Sequence, residues 1–382
     1  MTARTQPPFR ADQVGSLLRP DRLKQARERF LGAQTPEQNL APHDNAELRA
    51  VEDECIREVV ALQERIGLRA VTDGEFRRRS WWLELIMNWD GFAANREGSS
   101  AFTWRDASGR EQPFSALWID DKIKWRPSPI ARAVKFLAET TDSVPKVTIP
   151  APQVVHCFMG GDRAIRGTVY GDPEPFWDDL VAAYRQELAA LIDAGAKYIQ
   201  MDDTSIAFLC DPALRDEITS WGRDPDDLLD EYARRMNQVI GDRPSDVKVT
   251  LHQCRGNREG MWASEGGFDP VADVMFNQID VDGYFLEYDS DRAGTFEPLR
   301  HLPAGKVVAL GLVSTKTPAL EDADMLKRRI EEAASFTPLD RLALAPQCGF
   351  ASSVGGNPVT LDDQIAKLSL IVEVARDVWG DT

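Results

Sequence analysis

Short apolar runs alternate with longer amphipathic stretches along most of this chain, and that alternation limits the fold more than any other feature. The runs are Val14-Gly-Ser16, Ala70-Val-Thr-Asp73, Lys146-Val-Thr-Ile-Pro150, Tyr198-Ile-Gln-Met-Asp202, residues 247–254, Gly283-Tyr-Phe-Leu-Glu287, residues 306–313 and Leu342-Ala-Leu-Ala-Pro346. Apolar residues recur at helical spacing over about 21–29, 45–66, 174–194, 226–239, 268–278, 325–334 and 361–378. Gly67 and Gly195 sit where two of these stretches should stop. Eight strands, each followed by helical or loop sequence, predict an α/β chain folded as a (β/α)8 TIM barrel. No Gly-x-Gly-x-x-Gly follows a strand, so a dinucleotide-binding sheet has no support.

The rhythm breaks at about 80–130, which carries Trp81, Trp82, Trp89, Trp104, Trp118 and Trp125. Within it, Phe102-Thr-Trp-Arg-Asp-Ala-Ser-Gly-Arg-Glu reads as a hairpin turning at 106–109. So short a segment has little core of its own. We expect one domain over 1–382, with a Trp-rich insertion after strand two on the catalytic face, serving as a lid, an oligomer contact or both.

A formal charge of −17 argues against nucleic acid or an anionic membrane as partner. There is no apolar run of membrane-spanning length, and residues 1–10 lack a signal-like apolar core. The five cysteines are odd in number, scattered, and never in CxxC pairs. That usage fits a reducing cytoplasm.

In such barrels chemistry collects at the C-terminal ends of the strands. His252 and Cys254 are two apart at the end of a strand, so they share a face. Taken alone, the pair reads more readily as a hydrogen-bonded core histidine and a small buried apolar residue than as half of a metal site. Glu287 and Cys348 end two further strands, and the four together are zinc-ligand types. Cys157 and Cys210 fall in loops or helix starts, Cys55 lies on a core-facing helical stripe, and His43 reads as a solvated loop residue. Gly15-Ser16, Asp73-Gly74-Glu75 and Asp202-Asp203 complete the ring of strand ends.

Val14-Gly-Ser, Thr72-Asp-Gly-Glu75, Ile199-Gln-Met-Asp202, His252-x-Cys254, Phe285-Leu-Glu287 and Pro346-x-Cys-Gly349 together resemble the catalytic C-terminal barrel of cobalamin-independent methionine synthase. The resemblance runs from about residue 11 to the last helix, and 80–130 matches poorly. It implies Zn2+ on His252, Cys254, Glu287 and Cys348, activating homocysteine or a similar thiol as thiolate. Glu287, the hardest donor, would be the ligand displaced. Glu75 and Asp202 would hold the acceptor's amino group, and Ser16 its carboxylate. The partners implied are a small-molecule thiol and a methyl or alkyl donor, with a homo-oligomer left open.

The sequence departs from that family at several points. Where the family has a histidine proton donor, Lys316 stands in Gly311-Leu-Val-Ser-Thr-Lys-Thr-Pro318; Arg255-Gly-Asn257 follows His-x-Cys in place of Tyr-Ser. Lys316 is therefore a candidate catalytic residue. With Arg77, Arg78, Arg79 and Arg255 it could instead serve an anionic substrate, as in alkyl transfer of the epoxyalkane–coenzyme M type. A non-catalytic barrel with structural zinc is the remaining alternative.

Overall fold

The computed structural model describes residues 4–32, 43–93, 102–113 and 117–382. Seven strands form one parallel sheet in the order Ala70–Val71, Val144–Pro150, Tyr198–Asp203, Lys248–Gln253, Gly283–Glu287, Val307–Val313 and Leu342–Pro346. Residues 10–17 span the gap between its edges. Ala11 bridges Leu344 in parallel, and Asp12 N–H donates to the Leu344 carbonyl at 3.1 Å. On the other edge, Leu17 N–H donates to the Gly74 carbonyl at 3.1 Å.

The eighth barrel element is thus present, but its ladder contact lies at Ala11 rather than at Val14-Gly-Ser16. The reason is that the backbone at 14–15 is satisfied by side chains. Gln200 Nε2 donates to the Val14 carbonyl at 2.6 Å, and Thr72 Oγ1 donates to that of Gly15 at 2.7 Å.

The strands are buried on both faces, as a parallel sheet covered by helices should be. Lys146 crosses the barrel interior: its Nζ donates to Asp12 Oδ1 at 3.1 Å and lies 3.8 Å from the Phe285 ring centre. Tyr198 OH donates to the other Asp12 oxygen at 2.9 Å. Ala309, Ala343 and Ala345 pack in the same cluster as Phe285 and Tyr198. Their small side chains make room for the polar pair.

The helices form where the spacing predicted, with ends set by capping. Asn45 accepts from Leu48 N–H at the start of Ala46–Ile66, and left-handed Gly67 ends it. Asp172 caps Pro173–Asp193 and Asp224 caps Pro225–Ile240. Asp21 opens Asp21–Leu31 at its first position, while Pro20 occupies the cap. Pro129–Thr140 lay beyond the sequence reading although Ser128 caps it and proline opens it. Its signal was hidden because the tryptophans before it broke the period.

Cys55 is buried in the core, as expected. Two smaller expectations fail. Cys157 lies within the helix Pro152–Met159, not in a loop. His43 is not a solvated loop residue: its Nε2 is 3.0 Å from Glu52 Oε1, part of a buried network with Arg27 and Arg77.

Between Val71 and Val144 the chain builds two antiparallel pairs. Asp90–Ala93 pairs with Trp118–Lys124, and Thr103–Arg105 pairs with Glu111–Pro113. The second is the expected hairpin, with Asp106 Oδ1 accepting from Ser108 and Arg110 N–H in its turn. It docks on the barrel where Arg105 and Trp262 exchange backbone hydrogen bonds at 2.7 and 2.9 Å. No helix among the described residues is long and apolar enough to cross a membrane.

Candidate metal centre and acceptor pocket

His252 is next to last in its strand and Cys254 follows directly after it. Alternation sends both toward the barrel mouth. Cys348 arrives from the turn after Leu342–Pro346, tight enough that a Cβ on Gly349 would collide with Ser16 Oγ. The candidate ligand atoms of His252, Cys254 and Cys348 all lie within 4.8 Å of one another, and the two sulfurs are 3.8 Å apart.

These residues fit a divalent cation with soft and nitrogen ligands. Both ring nitrogens of His252 are buried without a hydrogen-bond partner. A buried imidazole so exposed to unmet polar demand is what a metal ligand looks like before its ion is counted. The neighbouring Cys348 sulfur, and burial after it, push the Cys254 thiol well above its ordinary value. The protein alone therefore keeps that thiol protonated, and a cation would have to displace the proton.

The fourth expected ligand stands apart from this trio. Glu287 ends its strand fully buried. Its Oε2 accepts from Arg255 N–H at 2.7 Å and from Gln347 Nε2 at 3.4 Å. Its Oε1 has no hydrogen bond, but Lys316 Nζ lies 3.7 Å away and Arg292 Nη2 3.8 Å away. Burial alone would raise its pKa; Lys316 and Arg255 outweigh that and hold the carboxylate below its usual range.

A pocket of about 440 Å3, open mouth included, adjoins the trio. Ser16, Glu75, Asp202, His252, Cys254 and Cys348 all line it. Asp202 and His252 are register partners on adjacent strands. Burial raises the Asp202 carboxyl to about 7, against the opposing effect of His252. Glu75 is held in a left-handed conformation, φ 59°, and Thr148 Oγ1 donates to its Oε1 at 2.7 Å. Burial raises its pKa too, opposed by Arg78, whose Nη1 is 3.8 Å from Oε1. Glu75 Oε2 is buried and has no partner.

Lys316 does not line this pocket; its Nζ stands 3.7 Å from Glu287 Oε1. The arginines expected for an anionic substrate are mostly engaged elsewhere. Arg255 donates to the carbonyls of Glu287 and Gly266 and stacks 4.0 Å from the Phe268 ring centre. Arg77 pairs with Glu52 and Asp53. Arg78 alone of these four borders the Glu75 side of the site, and neither it nor Arg79 is solvated.

Asn257 and Ser352 also line the pocket, and neither was named as a site residue from the sequence. Trp81 and Trp104 line it too, from the segment expected on the catalytic face, although no single tryptophan there was assigned to the mouth. The Trp104 ring packs so closely on Gly256 that a Cβ there would meet it at 2.6 Å.

A family profile described as "Cobalamin-independent synthase, Catalytic domain" matches residues 24–377. The uncharacterized protein YxjG of Bacillus subtilis is 40% identical over 381 residues, covering 98% of this chain and 96% of that one. A solved structure from Listeria monocytogenes, provisionally described as a vitamin-B12-independent methionine synthase, is 33% identical with a TM-score of 0.73, covering 98% of each chain. The 5-methyltetrahydropteroyltriglutamate–homocysteine methyltransferase of Bacillus velezensis is 23% identical over 371 residues, which are 95% of this chain and 42% of that protein. By the match over nearly its whole length, this chain belongs to the cobalamin-independent synthase catalytic-domain family.

Proposed function

We propose that this protein transfers a methyl or alkyl group to the thiol of an amino acid, homocysteine or a close analogue, with zinc held at His252, Cys254 and Cys348 and with Glu287 as an exchangeable fourth ligand. The observation that carries the reading is that six expected residues from five separate chain segments line one pocket. A zinc ion bound there would supply a thiolate at neutral pH by making the acceptor's thiol a far stronger acid.

The remaining work falls to the chain itself. Glu75 and Asp202 present two buried carboxyls to the pocket; burial penalises their charged forms, so a cationic group brought beside them would offset that penalty. An acceptor's ammonium group would do so with charge-assisted hydrogen bonds. Ser16 Oγ, fixed by Ala351 N–H at 3.3 Å, is placed to donate to the acceptor's carboxylate. Trp81 and Trp104 narrow the mouth, which orients a donor and sheds water. We take 80–130 as part of the same unit, acting as a cover for the site.

An acceptor with a sulfonate head is disfavoured by the same geometry. It would place an anion against Glu75 and Asp202, while Arg77 and Arg255 are occupied elsewhere. The deciding experiment incubates zinc-loaded protein with homocysteine or coenzyme M against methyltetrahydrofolate and non-folate donors. Product formed on coenzyme M alone would reverse the assignment.

A further inference from the structure

Lys316 is the group the proposed chemistry leaves without a task. It is buried, its side chain 6% exposed, and its Nζ has no hydrogen-bond partner. Its nearest carboxylate oxygen is Glu287 Oε1, itself buried and without a hydrogen bond, 3.7 Å away. Arg292 Nη2 approaches the same oxygen at 3.8 Å. A second carboxylate, Asp289, lies near enough to feel the Lys316 charge and has a buried Oδ1 without a partner. Charges this deeply buried persist only when each has a counter-charge.

The proximity creates a competition. Glu287 ends the strand next to the one that carries His252, and its Oε1 has Lys316 and Arg292 at 3.7 and 3.8 Å. A carboxylate bound tightly to the metal leaves those two cations poorly compensated. A carboxylate drawn to them leaves a coordination position free for the acceptor.

We infer that Lys316, seconded by Arg292, is a docking site for the Glu287 carboxylate, and that it sets how readily Glu287 yields its metal position to the acceptor thiol. This rests on the zinc and thiol reading above. With zinc held by His252, Cys254 and Cys348, an acceptor thiolate that gave its proton to water would replace the Glu287 carboxylate, one anion for another, and the carboxylate would remain an anion paired with Lys316. Lys316 is thus a positioning residue, set outside the pocket lining.

Two equilibria test this: Zn2+ affinity by chelator competition, and homocysteine binding followed by the visible spectrum of the Co2+-substituted protein. Lys316→Met should tighten zinc about tenfold and weaken homocysteine about tenfold, the scale of a change beside a metal ligand. Lys316→Arg should remain near wild type in both. In a Glu287→Gln background, where no anion remains to dock, Lys316→Met should change either equilibrium less than about twofold. If the full effect persists without the Glu287 charge, or Lys316→Met loosens zinc, the docking role is wrong. If wild type binds both zinc and homocysteine and Lys316→Met is silent, this inference alone falls. If wild type takes up no zinc, the proposed function falls with it.

Discussion

Asp202 and His252 are directly paired across two adjacent parallel strands, which fixes a buried carboxyl beside a buried imidazole at the barrel mouth. A one-residue slip would turn both side chains away from the barrel mouth. The site is therefore as rigid as the sheet, and its parts can be removed one at a time.

Metal content is the first such removal. Purified without chelator, the protein should carry about one zinc per chain. Cys254→Ala and Cys348→Ala should each lose most of it, as measured by elemental analysis after dialysis. Cys55→Ala should keep it, because Cys55 is buried in the helix Ala46–Ile66. Retention of full zinc by both site variants would remove the metal assignment.

Acceptor choice can be read separately at Glu75. Glu75→Gln should weaken homocysteine binding by roughly 1–3 kcal/mol, the scale of a lost charge-assisted hydrogen bond. Thiols lacking an amino group should bind nearly as before. Calorimetry with both kinds of thiol makes the comparison, and equal losses would point to a damaged fold.

Gly256, just after the strand Lys248–Gln253, packs against the Trp104 hairpin. Its φ of 92° is a conformation that side chains resist, and a Cβ there would stand 2.6 Å from the Trp104 ring. Gly256→Ala should cost about 1–3 kcal/mol of stability by overpacking and should shift tryptophan emission. Urea unfolding and fluorescence read the two effects. An unchanged emission spectrum would mean that the hairpin does not lean on Gly256.

Away from the site, Glu52 makes stability depend on pH. Burial would raise its pKa, but His43, Arg27 and Arg77 outweigh burial and lower it. A carboxyl lowered on folding contributes stability that is present above its unfolded pKa, about 4.3. That contribution is lost as pH falls through the folded value. Glu52→Gln should therefore destabilise by about 3–5 kcal/mol at pH 7, leaving Arg27 buried beside a neutral partner. The gap from wild type should narrow below about pH 4. Denaturant midpoints between pH 3 and 8 would show it, and a gap independent of pH would assign the loss to packing.

What the sequence determined by itself was the periodic part of the molecule. Strands from Val144–Pro150 onward are short apolar runs, and helices such as Ala46–Ile66 and Pro225–Ile240 carry their stripes and caps in local order. Those signals act over a few residues, so they are readable without coordinates. His252 and Cys254 were legible for the same reason, being two apart on one strand. Barrel topology, which brings strand ends together whatever their separation in sequence, made Cys348, Glu75, Ser16 and Asp202 candidates, and the family resemblance supplied the roles expected of them.

Tertiary structure decided the rest, because those relations join residues with no common period. The eighth element contacts its neighbour at Ala11 since Gln200 and Thr72 satisfy the backbone at Val14 and Gly15. Trp104 lines the pocket from a hairpin that docks where Arg105 bonds to Trp262, far along the chain. Lys316 was singled out by its position in a motif, and only the folded chain brings its Nζ to 3.7 Å from the buried Glu287 carboxylate, where a low-dielectric interior strengthens the attraction of opposite charges.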